Sequence, residues 1–445
     1  MSRRYTRRTA LALLGGVTLA GCSGGGRDRY WADPPAFDRS GLGAVTDDPV
    51  PDRPEPLPVS VPDERLAGFT ERVDELLAPI PRPLTADALP NGEMREAIRS
   101  ERRDARTALD RMDAAAGTLP TVAAGADACE RAATAAGVWA AISTTRELEN
   151  VTESTARVLN RVDDLETDLP DAAAGPAEAA VVYGEPEEWL AVARRDTLVG
   201  RPAAAERANP LRMGRVTGQV ERIRVELETA VLLRDRYVEG LDQPRSVEEA
   251  LTEAVAALGP ETERRLRRLH GEDAGRLHVA PGSDDLLERD APRDAPGVRL
   301  LSEKVYDAFD EIRFGPIAWP DADATHPALT VRKTHWTFAT LDAVESVRDR
   351  VDDGEDLFPP DAAAIEETRA AAIDAVADLV ASGSPLERWT AWRLVPAFEG
   401  PDGVLGSGSE PDRREIAGAY GEYVWIEAVT RATPDATRVV DDALA

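Results

Sequence analysis

Three observations on this 445-residue chain predict an all-α fold: a multi-helix bundle of long antiparallel helices, arranged as one domain or two helical subdomains. Apolar residues recur at steps of three and four along most of its length. Proline and glycine fall where those runs end. No alternating apolar and polar run is long enough to make a strand, and "VVY" at Val181 is too short.

The first helix is expected from Leu66, Phe69, Val73, Leu76 and Ile80, and Pro79, Pro81 and Pro83 end it. A second run holds Met94, Ile98, Ala105, Leu109 and Met112, up to Gly117. A third starts near Thr121. Leu148, Val151, Thr155, Val158, Val162, Leu165 and Leu169 then keep a strict alternation of threes and fours until Pro170. A later seam answers it: Val216, Val220, Ile223, Leu227, Ala230, Tyr237 and Leu241, interrupted by Arg234. Two such seams predict helices packed side by side at shallow angles.

Ser246 and Glu249 have the spacing of a capping box ahead of Ala250, Leu251, Val255 and Leu258. Residues 271–298 are rich in Gly, Pro and Asp and are expected to form a linker or loop, separating a helical domain at 62–270 from one at 299–445. Further helical runs are expected near 300–314, 328–352, 360–382, 385–398, 411–432 and 435–444. Of 22 aromatic residues, 13 follow residue 299, so the second domain packs with larger side chains than the first. No repeat of fixed period supports a solenoid.

The N-terminus carries a different kind of information. Arg3, Arg4, Arg7 and Arg8 form a positive region without acids, and Thr9 to Gly21 is apolar and small. That run is too short to span a bilayer, which takes about 20 apolar residues. Leu19-Ala20-Gly21-Cys22 follows. This series resembles the signal of a twin-arginine-exported lipoprotein. The resemblance, confined to residues 1–22, implies removal of residues 1–21, a lipid on Cys22 and a protein held at the extracytoplasmic face of the cell membrane. Residues 22–61, rich in Gly and Pro, are expected to form a disordered tether reaching roughly 120 Å at about 3.1 Å per residue.

Acids number 82 against 53 Lys plus Arg, for a net charge of −29, and loss of the four signal arginines brings this near −33. The only lysines are Lys304 and Lys333. The composition resembles that of proteins from salt-loving archaea. In molar salt the Debye length is about 3 Å, which screens a surface dense in carboxylates. A GC-rich genome, which favours Arg, Ala, Gly and Asp codons, produces part of the same bias. No basic stripe is present, so no nucleic-acid partner is expected. With Cys22 lipidated, Cys129 has no disulfide partner and reads as a small buried thiol beside Val122, Ala126, Ala133 and Ala136.

Motifs for phosphate loops, dinucleotide folds, nucleophile elbows, zinc proteases and paired cysteines are absent. The acidic runs "VDDGEDLF" and "PDADATHP" lack the spacing of a calcium loop. All four histidines (His270, His278, His326 and His335) and both lysines lie within 270–335. On a helix, His335 shares a face with Val331, Phe338 and Asp342. An imidazole oriented by a carboxylate and a histidine packed among apolar neighbours both fit, and packing is expected. His326 before Pro327 suits a helix start. Trp389 and Trp392 are candidates for a ligand-stacking platform or for core packing, and Leu386 and Val395 favour the core. Tyr420, Tyr423 and Trp425 invite the same two readings. Asn150-Val151-Thr152 is a glycosylation sequon.

No catalytic residue, metal or cofactor is therefore expected. The leading expectation is a non-catalytic, lipid-anchored protein that binds an envelope protein or organises the envelope. The alternative is a ligand-handling protein or enzyme using His326, Lys333, His335, Trp389 or Trp392.

Overall fold

The computed structural model describes residues 39–143, 172–199, 209–270, 291–319, 325–407 and 411–445, with single residues or short stretches at 153, 156–158, 160–165, 169, 280–281 and 286–289. Cys22, Asn150 and His278 lie outside the described residues. The fold is all-α. Its helices are α1 (Arg39–Ala44), α2 (Asp63–Leu77), α3 (Gly92–Ala114), α4 (Thr118–Ser143), α5 (Pro176–Val199), α6 (Pro210–Glu239), α7 (Glu248–His270), α8 (Pro296–Phe314), α9 (Pro327–Asp352), α10 (Ala362–Ala381), α11 (Pro385–Leu394), α12 (Glu399–Leu405) and α13 (Arg413–Leu444). Residues 156–158 and 160–165 are also helical and lie between α4 and α5 in the chain. Among the described residues the sole sheet is a two-residue antiparallel ladder pairing Ala172–Ala173 with Arg245–Ser246.

In the first half, α4 is the hub. It packs against α6, α3 and α2. Alanine, glycine and threonine on α4 let its neighbours approach closely: a Cβ on Gly218 of α6 would sit 2.1 Å from Thr134 Oγ1 and 2.8 Å from the Glu130 carbonyl. Phe69, Val73, Ile98, Ala105, Met112 and Cys129 fill the core beside it. Burial pushes the Cys129 thiol up to about 12, which leaves it protonated and inert.

In the second half, α9 is the hub, contacting α13, α5, α7 and α8. It is buried nearly all round from Pro327 to Val344, and on one face from there to Val351. Helix starts carry side-chain caps: Asn91 accepts from Glu93 N–H at 3.0 Å, and Asp361 accepts from Ala364 N–H at 2.9 Å. Asp412 and Glu415 form a reciprocal capping box on α13.

Several boundaries differ from expectation. Residues 39–61 are not free tether. Leu42, Val45 and Leu57 are buried in the main core. Arg53 stacks over Trp392 at 4.0 Å and donates to its carbonyl, while Glu55 accepts the Thr118 N–H at 2.7 Å. This strap therefore touches both halves. The expected linker at 271–298 is not free either where it is described. Leu286, Ala295 and Val298 are buried in a second cluster with Phe309 and Val347, and α8 already begins at Pro296.

Ser246 does not cap α7. It sits in the ladder, and Leu251 N–H reaches the Val247 carbonyl instead. The break expected between 432 and 435 is absent, because α13 runs through Pro434 with Val429, Ala436 and Val440 all buried around it. The run expected at 385–398 divides into α11, a 3-10 turn at Val395–Phe398 and then α12.

Helix α5 has no counterpart among the expected elements. Ala179, Ala180, Val181, Val182 and Tyr183 are consecutive and all buried, so no period of three and four distinguishes a face. It contacts α6 in the first half and α9 and α11 in the second. One core extends across both halves, from Val158 and Leu227 to Phe338, Trp389 and Val440.

Candidate functional site

Two of the residues singled out in the sequence, Lys333 and Trp389, meet where α5 crosses α9 and α11. Gly184 makes the crossing possible. A Cβ there would lie 2.8 Å from Arg332 Nε, so the guanidinium rests directly on the α5 backbone. Arg332, 1% exposed, donates to the Gly184 carbonyl at 3.0 Å, to Glu185 at 2.9 Å and to Glu188 at 2.7 Å. Lys333 follows on α9 and pairs with Glu188 at 3.1 Å and with Glu311 of α8 at 2.8 Å. Arg393 of α11 completes the cluster, 3.9 Å from Glu311.

Aromatic rings separate and support these charges. Trp389 is 3% exposed and meets Trp336 edge to face at 6.2 Å. Arg332 and Arg393 lie over the Trp389 ring at 5.0 and 5.2 Å, and Arg393 lies over Trp336 at 4.0 Å. Cation–π contact is strongest where water is excluded. Burial lowers the Arg393 pKa despite Glu311 nearby. Burial alone would raise that of Glu188, but Arg332 and Lys333 outweigh it and hold the carboxyl below its usual value.

Glu187 behaves differently. Its carboxyl is 1% exposed and accepts the Leu329 N–H at 2.6 Å, capping the start of α9 from a different helix. Its second oxygen, Oε1, is buried without a partner. Burial raises its pKa to about 8.

His335 is fully buried and apart from this cluster. Its Nε2 shares a hydrogen bond with Thr437 Oγ1 at 2.9 Å, and burial lowers its pKa to about 3. Asp342 does not orient it: that carboxylate pairs with Arg265, which lies over Phe338 at 4.3 Å, and with Arg268. The His326 carbonyl accepts both the N–H and the hydroxyl of Thr330. Trp392 lies under Arg53 of the strap. Tyr423 is buried and donates to Asp402 at 2.5 Å. Of the acidic run at 351–358, Asp352 accepts the backbone N–H of Glu288 at 2.9 Å. The platform pictured for Trp389 and Trp392 is thus occupied by the protein's own arginines.

Chemically, the cluster sets Glu185, Glu188 and Glu311 against Arg332, Lys333 and Arg393. It joins α5 to α8, α9 and α11 as an ionic clasp. Sequence reasoning found Lys333 and Trp389 but missed Arg332 and the "GEPEEW" glutamates. Three acids beside an unbroken apolar run were the available signal.

Two family models match the chain. One, described as Domain of unknown function (DUF8262), covers residues 64–243, and the other, described as Domain of unknown function (DUF8264), covers residues 248–442. No curated protein and no solved structure matches it. The break between the two models falls at 244–247, ahead of α7, rather than at 271–298. The packing agrees, since α7 lies against α9 and α13. The strap precedes both matches, and the clasp joins α5, inside the first, to α9, inside the second.

Proposed function

We propose that the chain is a lipid-anchored helical protein at the extracytoplasmic face of the membrane of a halophilic archaeon. On this reading it leaves the cell by the twin-arginine route, is held through Cys22, and binds an envelope protein without catalysing a reaction. The ordered series of Arg3 to Arg8, the short apolar run and Leu19-Ala20-Gly21-Cys22 carries the reading. The acid excess and the rarity of lysine support the halophilic setting. The engagement of Lys333, His335 and Trp389 in packing and ion pairs supports a binding role over a catalytic one.

Mass spectrometry of the mature protein tests the anchor: residues 1–21 should be missing and Cys22 should carry a lipid mass. Cys22→Ser should move the protein from the membrane fraction to the soluble fraction with its helical spectrum intact. Retention of Met1, or an unmodified Cys22, defeats the anchor. Cross-linking on intact cells should capture a discrete envelope protein; recovery of the monomer alone defeats the partner.

A further inference from the structure

The strap has two parts, held by different halves of the molecule. Residues 55–61 stay with the first half: Glu55 accepts the Thr118 N–H at 2.7 Å, and the Thr118 hydroxyl donates to the Val59 carbonyl at 2.7 Å. Residues 39–53, an arm, sit on the second half. Here α1 packs against α10, and a Cβ on Gly41 would lie 3.3 Å from that of Ala362. Arg369 donates to the Asp48 carbonyl at 2.9 Å. Arg53 donates to the Trp392 carbonyl at 2.9 Å while its guanidinium covers the Trp392 ring. Thr46 lies beside Gly406 at the end of α12, and Leu42 and Val45 are buried in the main core.

The hinge between the two parts is Pro54, within a run that also holds Pro49, Pro51, Pro56 and Pro58. Among the described residues, 48–61 make no backbone-to-backbone hydrogen bond. Proline-rich chain of this kind is extended and stiff without internal hydrogen bonds. A short hinge gives the arm little slack for closing on its own body, and such hinges favour exchange between copies.

Lifting the arm leaves no buried charge without a partner. Arg369 keeps both of its hydrogen bonds to Asp402, at 2.9 and 2.8 Å. Arg53 gains water, and burial is what lowers its pKa in the closed form, against Glu399 and Glu55. The surface uncovered is apolar: Leu42 and Val45 on the arm, and the face of Trp392 on the seat. A lifted arm and an emptied seat are complementary, and every copy of the chain carries both. Seated on another copy, the arm makes the same hydrogen bonds and the same ring contact.

We propose that the arm exchanges between copies: residues 39–53 of one chain seat on α10, α11 and α12 of a second, and the second returns its own arm to the first. The partner is thus a second copy of this chain. Two bodies of net charge −29 repel, and molar salt, with its Debye length of about 3 Å, screens that repulsion. The pairing goes beyond the proposed function and does not depend on a lipid at Cys22.

Engineered thiols on the full chain bearing Cys22→Ser test it. Cys129 is buried and takes no part. Disulfides need Cβ atoms about 3.5–4.5 Å apart, so Gly41→Cys and Ala362→Cys meet that geometry after a shift of a few tenths of an ångström. The two substitutions are placed on separate chains, produced together in one cell and oxidised mildly. In closed copies each new thiol faces an unchanged residue and no bond forms. In an exchanged pair the arm thiol of one chain meets the seat thiol of the other, and non-reducing electrophoresis should show the two chains joined. Tyr306→Cys, exposed on α8, produced with Ala362→Cys reports chance collision and should give no such band. Absence of the mixed band, while a single chain carrying both Gly41→Cys and Ala362→Cys forms its bond internally, overturns the proposal. So does an equal band from Tyr306→Cys. A bond in neither arrangement means that the arm does not seat beside Ala362, which overturns it as well.

Discussion

Replacing Glu187 by glutamine should stabilise the protein at neutral pH and do nothing for it in acid. The carboxyl is 1% exposed and its pKa stands at about 8, against a usual value of 4.5. The folded state therefore retains a proton that the unfolded chain releases. That contribution to stability is complete below about pH 4.5 and is lost as pH rises through 8. At 1.36 kcal/mol per pKa unit, the loss reaches about 3 kcal/mol by pH 7 and about 5 kcal/mol above pH 8.5. Glutamine carries no charge at any pH, and its carbonyl still accepts the Leu329 N–H that now reaches Glu187 at 2.6 Å. Its amide takes the place of Oε1, which has no partner to lose. Denaturant unfolding of parent and variant, at fixed molar salt from pH 4.5 to 8.5, gives the difference directly. That difference should grow from near zero to several kcal/mol in favour of the variant. Parallel stability curves would refute the reasoning, as would a variant that weakens relative to the parent as pH rises.

His335→Gln should cost about 1–2 kcal/mol above pH 6.5, with no stoichiometric transition metal lost from the protein. Because burial lowers the His335 pKa to about 3, its contribution is present above 6.5 and fades as pH falls, so the penalty should shrink by about 2 kcal/mol at pH 5; a penalty constant with pH would contradict this. Gly184→Ala places a Cβ 2.8 Å from Arg332 Nε and should lower stability by about 1–3 kcal/mol in thermal melts. Arg369→Met removes the bidentate partner of Asp402 and the donor to the Asp48 carbonyl, should cost about 3–5 kcal/mol, and should open residues 48–61 to limited proteolysis. Circular dichroism should show a helical signal that is strong in molar salt and weakens on dilution; an unchanged spectrum would mean that the acid excess serves no salt dependence.

Helices with one buried face were legible in the sequence, because burial imposes a period that proline then interrupts. Residues 66–80 and 94–112 are of this kind. Helix α5 was illegible for the opposite reason: surrounded on all sides, it needs no polar face, and its apolar run carries no period. Pro434 misled because a proline ends a helix only when nothing else holds it, and here buried side chains on both sides do. The clasp was half visible. Lys333 and Trp389 stood out by composition, whereas Arg332 acquires meaning only from glutamates 144 and 147 residues away. Ion pairing between distant segments leaves no local pattern. The strap looked like tether because its apolar residues are sparse, yet Leu42, Val45 and Leu57 each find a place in a core built by later residues.

That strap also sets a timetable. Asp48 is held by Arg369, and Arg53 by Trp392, contacts that span 321 and 339 residues of chain. At about 5–20 residues per second, a ribosome needs roughly 20–70 s to supply the partners after the strap emerges. The first described residues are therefore among the last to settle, and the main core stays open at that edge until α12 has been made. A nascent chain cut short before residue 369 should leave the strap accessible to protease, whereas the completed chain should shield it. The twin-arginine route proposed above, which carries folded cargo, suits a protein whose first and last thirds must meet before either is finished.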